Sequence, residues 1–222
     1  MDALDMIGPI MIGPSSSHTA GAVRLGCTAR LLLQEEPAEA DITLYNSFAD
    51  TGRGHGTDRA IVAGLLGVQP DDTGIPDSFE TARERGLQDR FQCARDPEYH
   101  PNTARISLVG SRGGRMELLG ASVGGGSICV RALDGLETAL GNELETLVVM
   151  HRDQVGVILE LAGILSEHGI NIAAFRTSRS GRGEKAVTVI EVDGEIPGSC
   201  MERLCRAAGV RRCVRLPKRG DF

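Results

Sequence analysis

TLVVMHRDQVGVILELAGILSEHGINIAAFRTS, residues 146–178, decides the fold of the C-terminal part of this chain. Thr146–Met150 is a short apolar run rich in β-branched residues and predicts a strand. His151-Arg152-Asp153-Gln154 is polar and turn-like. Val155–His168 places Ile158, Leu161, Ala162 and Leu165 at the i, i+3, i+4, i+7 spacing of one helix face. Gly169 stops that helix as a C′ glycine. Ile170–Ser178 and Ala186–Val192 then read as strands joined through Gly181-Arg182-Gly183. Pro197 and the following SCMERLCRAAG predict a second helix closing at Gly209, and Val210–Leu216 a last strand. The whole is a βαββαβ unit of four strands and two helices.

Upstream of about residue 140 the pattern is less regular. His18–Glu36 reads as a helix whose early Ala and Gly residues permit close packing against another backbone. Asp41–Ser47 alternates like a strand, Thr57–Leu66 predicts a helix leaving a glycine loop, and Ser78–Arg85 a further one. Arg105–Val109, Met116–Ser122 and Ile128–Leu133 alternate as strands of one sheet. Helices first and a late run of strands favour α+β over regular parallel winding. Asp134–Glu145 is a polar stretch of low periodicity, read as a linker that could also be helical. The expected organisation is two domains, 1–140 and 141–222.

Composition narrows the function classes. The net charge of −6 argues against a general phosphate-backbone binder. No Trp, two Tyr and five Phe leave few platforms for base stacking. No apolar run approaches the ~20 residues of a membrane span. MDALDMIGPIMIG lacks the basic start of a secretory signal. The expectation is therefore a cytoplasmic chain with neither nucleic acid nor membrane as a partner. Six cysteines, at 27, 93, 129, 200, 205 and 213, form no C-x-x-C pair and no cluster-type run. Reduced thiols and no metal site of this chain's own are the economical reading.

Two constellations carry chemistry. Gly13-Pro14-Ser15-Ser16-Ser17-His18-Thr19-Ala20 puts hydroxyls and free backbone N–H groups at a helix start, which suits a carboxylate or phosphate; an elaborate N-cap is the plainer alternative. Asp50-Thr51-Gly52-Arg53-Gly54-His55-Gly56-Thr57-Asp58 leaves an imidazole between glycines, suited to an acid, a base or a ligand, or else an incidental turn. His100-Pro101-Asn102 is a third polar cluster, and Gly124-Gly125-Gly126-Ser127 a bulge or an anion cradle. A serine hydrolase would need an acid orienting a histidine; Asp50 or Asp58 could serve, yet no nucleophile-elbow string is present. In the C-terminal unit His151, Asp153 and Asn171 sit where polar groups could read a small amino acid, with ordinary capping as the alternative.

The stretch Ile7–Gly21, the GHGTD loop at Gly54–Asp58, His100-Pro101-Asn102 and the strand with Gly124-Gly125-Gly126 resemble, in the same order, the beta subunit of bacterial iron–sulfur-dependent L-serine dehydratases. The C-terminal unit is similar to an ACT domain, a ferredoxin-like amino-acid-sensing module. The N-terminal part is similar to the allosteric substrate-binding domain of certain phosphoglycerate dehydrogenases. The resemblance implies a lyase releasing pyruvate and ammonia from L-serine, its [4Fe–4S] cluster ligated by an alpha subunit rather than by this chain. It further implies Ser15, Ser16, Ser17 and Thr19 on the substrate carboxylate, and Asn102 as a polar contact. His18 and His55 become acid/base or orienting groups, and His151, Asp153 and Asn171 become effector contacts, with association between copies through the ACT unit. The alternative from another class is a non-catalytic regulatory protein that binds amino acids.

Overall fold

The computed structural model describes residues 15–52, 54–141 and 143–218. Ile7–Pro14 of the family-like opening, with the leader reading of the first thirteen residues, lies outside them, as does Arg53 of the glycine loop. The chain divides into two compact units between Asp134 and Gly135.

The first unit begins with a wide π-helical turn, Ser16–Ala20, that runs directly into α1 (Gly21–Leu33). Eleven residues of α1 are buried, from Gly21 through Ala29 and again at Leu32 and Leu33, so the helix is enclosed nearly all round. It ends at Leu33, three residues before the expected stop, because Gln34 turns left-handed at φ 59°. The strand β1 (Pro37–Tyr45) follows, then α2 (Ser47–Thr51), α3 (Thr57–Leu65), a 3₁₀ turn at Ile75–Asp77 and α4 (Ser78–Glu84). The remaining strands of this unit are β2 (Gln88–Ala94), β3 (Thr103–Gly110), β4 (Arg115–Gly124) and β5 (Ser127–Leu133), in sheet order β2-β1-β3-β4-β5, and β6 (Leu136–Leu140) follows the division. β1 and β2 pair in parallel, joined by a crossover through α2–α4; the β1–β3, β3–β4 and β4–β5 pairs are antiparallel.

The period of two puts Ala40, Ile42 and Leu44, Ala104, Ile106 and Leu108, and Met116 and Leu118 on one buried face. Ile42 stands opposite Ile106, and Ile106 opposite Leu118. Helix α1 lies against β4 and also crosses α3. The expected close packing is there: a Cβ on Gly64 would meet the Val23 carbonyl, and one on Gly26 the Ile61 carbonyl.

Three elements differ from expectation. Residues 136–140, read as linker or helix, form β6, because Asp134 and Gly135 both take positive φ (49° and 79°) and make a two-residue hairpin turn. β2 is not among the expected strands, since its run QDRFQCA on a sheet edge buries no residue fully and carries little apolar pattern. Ser47, placed at the end of a strand, instead opens α2.

The second unit follows the βαββαβ reading: β7 (Glu145–Arg152), α5 (Val157–Glu167), β8 (Asn171–Arg179), β9 (Lys185–Asp193), α6 (Gly198–Arg206) and β10 (Val210–Leu216). The order β10-β7-β9-β8, antiparallel throughout, is ferredoxin-like. Leu147, Val149, Ile190 and Val192 of the sheet meet Val157, Leu161 and Leu165 of α5 and Cys200 and Leu204 of α6 in one core.

Candidate active site

The serine run starts with Ser15 in extended conformation (φ −147°, ψ 123°), from which the chain bends into the π turn. The Ser15 Oγ accepts a hydrogen bond from the His18 backbone N–H at 3.2 Å and lies 3.3 Å from the His18 ring Nδ1. The Ser15 carbonyl accepts from Thr19 N–H, and the wide turn closes from Gly21 N–H to the Ser16 carbonyl. Such turns add a residue to a helix and recur where side chains must be re-aimed for function. Ser16 and Ser17 are half-buried. Thr19 is buried, and its Oγ1 has no hydrogen-bond partner among the described residues.

His18 is the centre of the arrangement. Its Nε2 lies 3.2 Å from Ser47 Oγ, so a serine hydroxyl stands at each ring nitrogen. The ring meets Phe48 edge-on at 5.4 Å and His55 edge-on at 4.9 Å between centroids. Burial first, and the neighbouring His55 second, hold the His18 pKa below the ordinary histidine value of 6.5. The imidazole is thus neutral at pH 7 and able to accept a proton. His55 is exposed, on a loop whose backbone returns from His55 N–H to the Thr51 carbonyl. The two motifs singled out in the sequence therefore meet.

The third motif flanks them. Pro101 O accepts from Phe48 N–H at 3.2 Å, and the Asn102 N–H donates to His100 Nδ1. Asn102 O accepts from Ser122 N–H, and its amide Nδ2 lies 3.5 Å from the Ser122 carbonyl. Ser122 in turn sits against the start of α1, where a Cβ on Gly21 would strike its hydroxyl. Gly124, Gly125 and Gly126 all take positive φ, and the buried Arg24 donates to the Gly126 carbonyl at 2.6 Å, which ties this turn to α1. Asp50 pairs with Arg95 at 2.7 Å, and Asp58 Oδ1 accepts from Arg59 N–H, so these carboxylates do not supply the orienting acid of a serine hydrolase. A cavity of about 450 Å³ lies beside the glycine loop, lined by Asp50, Gly52, Gly54 and Asp58 with Phe79 and Phe91.

The second unit does not bring its three candidates together. His151 is buried, with Nε2 2.8 Å from Thr188 Oγ1 and Nδ1 2.9 Å from the Arg152 carbonyl. Asp153 accepts from Arg179 at 2.7 Å and from Gly183 N–H at 3.1 Å, partners that hold its carboxyl below the usual range. Asn171 is exposed and donates to Asp193 at 2.6 Å, at the far end of β8. Arg179 and Asn171 are eight strand residues apart, roughly 26 Å at ~3.3 Å each. The cause is topological: α5 runs back along the sheet, so the end of β7 and the start of β8 lie at opposite ends of the strands.

Ser47, which no motif of the sequence points to, joins the site through its contact with His18. Its serine and the Gly-His-Gly loop lie eight residues apart, a spacing without a recognised signal.

The fold and this geometry define a two-unit α+β chain that joins a serine- and histidine-bearing unit to a small ferredoxin-like one. Comparison with known proteins agrees. The family model described as serine dehydratase beta chain matches residues 3–93, and that described as ACT domain matches residues 146–209. The chain is 38% identical over 212 residues to a probable L-serine dehydratase beta chain of Bacillus subtilis (strain 168), covering 96% of each chain. It is 35% identical over 192 residues to the L-serine dehydratase beta chain of Peptoniphilus asaccharolyticus, covering 86% of each. A longer L-serine dehydratase of Escherichia coli (strain K12) is 32% identical over 176 residues, 68% of this chain and 38% of that one. The chain belongs to the serine dehydratase beta-chain family.

Proposed function

We propose that the chain is the beta subunit of an L-serine ammonia-lyase, which eliminates water from L-serine and releases pyruvate and ammonia. The observation that carries this reading is the meeting of His18 and His55, ring to ring at 4.9 Å, beside the serine run at the head of α1. In this reading the hydroxyls of Ser15, Ser16, Ser17 and Thr19, with the backbone N–H groups of Ser16 and Ser17, take the substrate carboxylate, aided by the positive end of the helix. Asn102 is a polar contact at the rim. His18, held neutral, removes the Cα proton or passes it to His55. The hydroxyl leaves as water, and the aminoacrylate tautomerises and hydrolyses to pyruvate and ammonium.

The [4Fe–4S] cluster of the proposal, a Lewis acid toward the substrate hydroxyl, is assigned to cysteines of an alpha subunit. The thiols of this chain do not fit it. Burial pushes the Cys27 thiol up to about 12, and its Sγ donates to the Val68 carbonyl. Among the described residues no three His, Cys, Asp or Glu side chains converge as a metal site. The match to 38% of a longer dehydratase supports a division of labour in which the other portion holds the cluster.

The proposal extends to a cytoplasmic protein; separately, no helix among the described residues is long and apolar enough to cross a membrane. It also includes an amino-acid effector at the ACT unit and association of that unit between copies, checked by sedimentation velocity.

Co-expression with the alpha subunit, purification without oxygen and assay of pyruvate from L-serine test the activity. Pyruvate release by the pair and none by this chain alone is the expected result. A pair that releases no pyruvate, or a single chain that turns over serine, overturns it.

A further inference from the structure

We propose that Ser47 is a positioning residue that locks the His18 imidazole in its working orientation, and that the segment from Ala94 to Pro101 is what places Ser47. The kinetic part of this inference rests on the lyase reading above; the spectroscopic part does not.

A neutral imidazole has one donor and one acceptor nitrogen, and a half-buried ring with either unpartnered is penalised. Hydroxyls at 3.3 Å from Nδ1 and 3.2 Å from Nε2 satisfy both and fix the plane of the ring. Ser15 is a neighbour in sequence and would follow His18 wherever the turn goes. Ser47 is 29 residues away and is the external reference. Among the described residues its Oγ bonds to His18, and it caps no helix, since Asn46 holds the N-cap position of α2.

What surrounds Ser47 is a clamp. Asn46 adopts φ 52° and ψ −119°, a positive-φ backbone that strains a non-glycine residue. Its side chain offsets that strain: Nδ2 donates to the Asp96 carbonyl at 2.8 Å and the Tyr99 carbonyl at 3.2 Å, and Oδ1 accepts from Asp96 N–H at 3.0 Å. Asn46 N–H donates to the Ala94 carbonyl, Phe48 N–H to the Pro101 carbonyl, and Thr51 Oγ1 to the Ser47 carbonyl. Both neighbours of Ser47 are thereby bound to the same segment, and this anchoring delivers the Ser47 hydroxyl to the His18 ring nitrogen, with the Phe48 ring edge-on beside it. The His100-Pro101-Asn102 motif thus reaches the reacting histidine through Ser47.

The test has two arms. In the alpha–beta complex, Ser47→Ala lowers kcat about tenfold with KM within about twofold, because the reacting group is misplaced while the carboxylate site stays. Ser47→Thr, which keeps the hydroxyl, restores turnover. In the ¹⁵N-histidine-labelled chain, whose five histidines give few ring signals, two-bond ¹H–¹⁵N spectra read the His18 tautomer, assigned by loss of the signal in His18→Gln. One dominant tautomer is expected in the parent and a mixture in Ser47→Ala. If Ser47→Ala fails to fold, Ser47→Cys, which keeps the volume with a weak hydrogen-bonding sulfur, carries the same comparison. An unchanged tautomer pattern in a folded variant overturns the proposal whatever the activity. A parent complex without pyruvate release sinks only the lyase reading.

Discussion

His18 is a histidine whose environment disfavours its charged form, and the sign of the consequence follows. Its folded pKa lies below 6.5, so the unfolded chain binds more protons in the window beneath that value. The contribution of His18 to stability is complete above pH 6.5 and is lost as pH falls through the folded pKa. For the same reason the acid limb of kcat/KM for the reconstituted complex is expected below pH 6.5, and His18→Ala is expected to reduce turnover ~10²-fold or more together with that limb. His55→Ala is expected to fall as far if His55 carries the proton onward. Turnover within a few-fold of the parent removes either residue from proton transfer. Thiol chemistry follows the same logic of burial. Cys93 and Cys205 are exposed, whereas Cys27 and Cys213 are buried with thiols pushed up to about 12. Iodoacetamide on the native chain is expected to label the exposed pair first, as peptide mass mapping would show; early labelling of Cys27 contradicts this packing.

The elements show where sequence is legible and where it is not. The serine run stands out in the sequence because three hydroxyls with a His and a Thr exceed what capping requires, whereas the glycine-flanked His55 reads equally as an incidental turn residue. Ser47 does not stand out, since a serine at the end of an alternating run reads as the edge of a strand; its role comes from Asn46, whose backbone no local pattern encodes. Asn171 was placed with His151 because both border α5, and the length of that helix separates them. β6 was within reach, because Asp134-Gly135 is a strong hairpin signal in the sequence itself. The small residues of α1 were read correctly, and they support a paired test. Gly64→Ala puts a Cβ against the Val23 carbonyl and is expected to destabilise by about 1–3 kcal/mol despite better helix propensity. Gly163→Ala in α5 meets nothing within 4 Å and is expected to stabilise by about 0.5–1 kcal/mol. Urea unfolding of both variants measures the signs; equal effects would remove the close crossing of α1 and α3 as a constraint.

At the scale of the whole molecule, the two units have different relations to their own sequence. The second unit closes its helix-facing core within itself: Leu147, Val149, Ile190 and Val192 are covered by α5 and α6, and Ile196, Cys200 and Leu204 complete it, while Val148, Val187, Val189 and Leu216 are buried on the opposite face of the sheet. Its legibility has the same origin, since a core closed within about 80 residues leaves a full period of hydrophobic pattern on every element. The first unit spends residues on a site: Thr19, Thr57 and Ser122 are buried with hydroxyls that find no partner among the described residues. Such groups are costly in a finished core and useful beside a pocket that a substrate completes. Residues 135–222 expressed alone are therefore expected to fold cooperatively, with an m value in urea of about 1 kcal/mol/M, the small end of the range, because a domain of this size exposes little surface. Circular dichroism and fluorescence of an added reporter dye, followed through the same titration, should give one coincident transition. A broad, non-coincident melt would mean that the closed core is insufficient and that the unit depends on chain preceding Gly135.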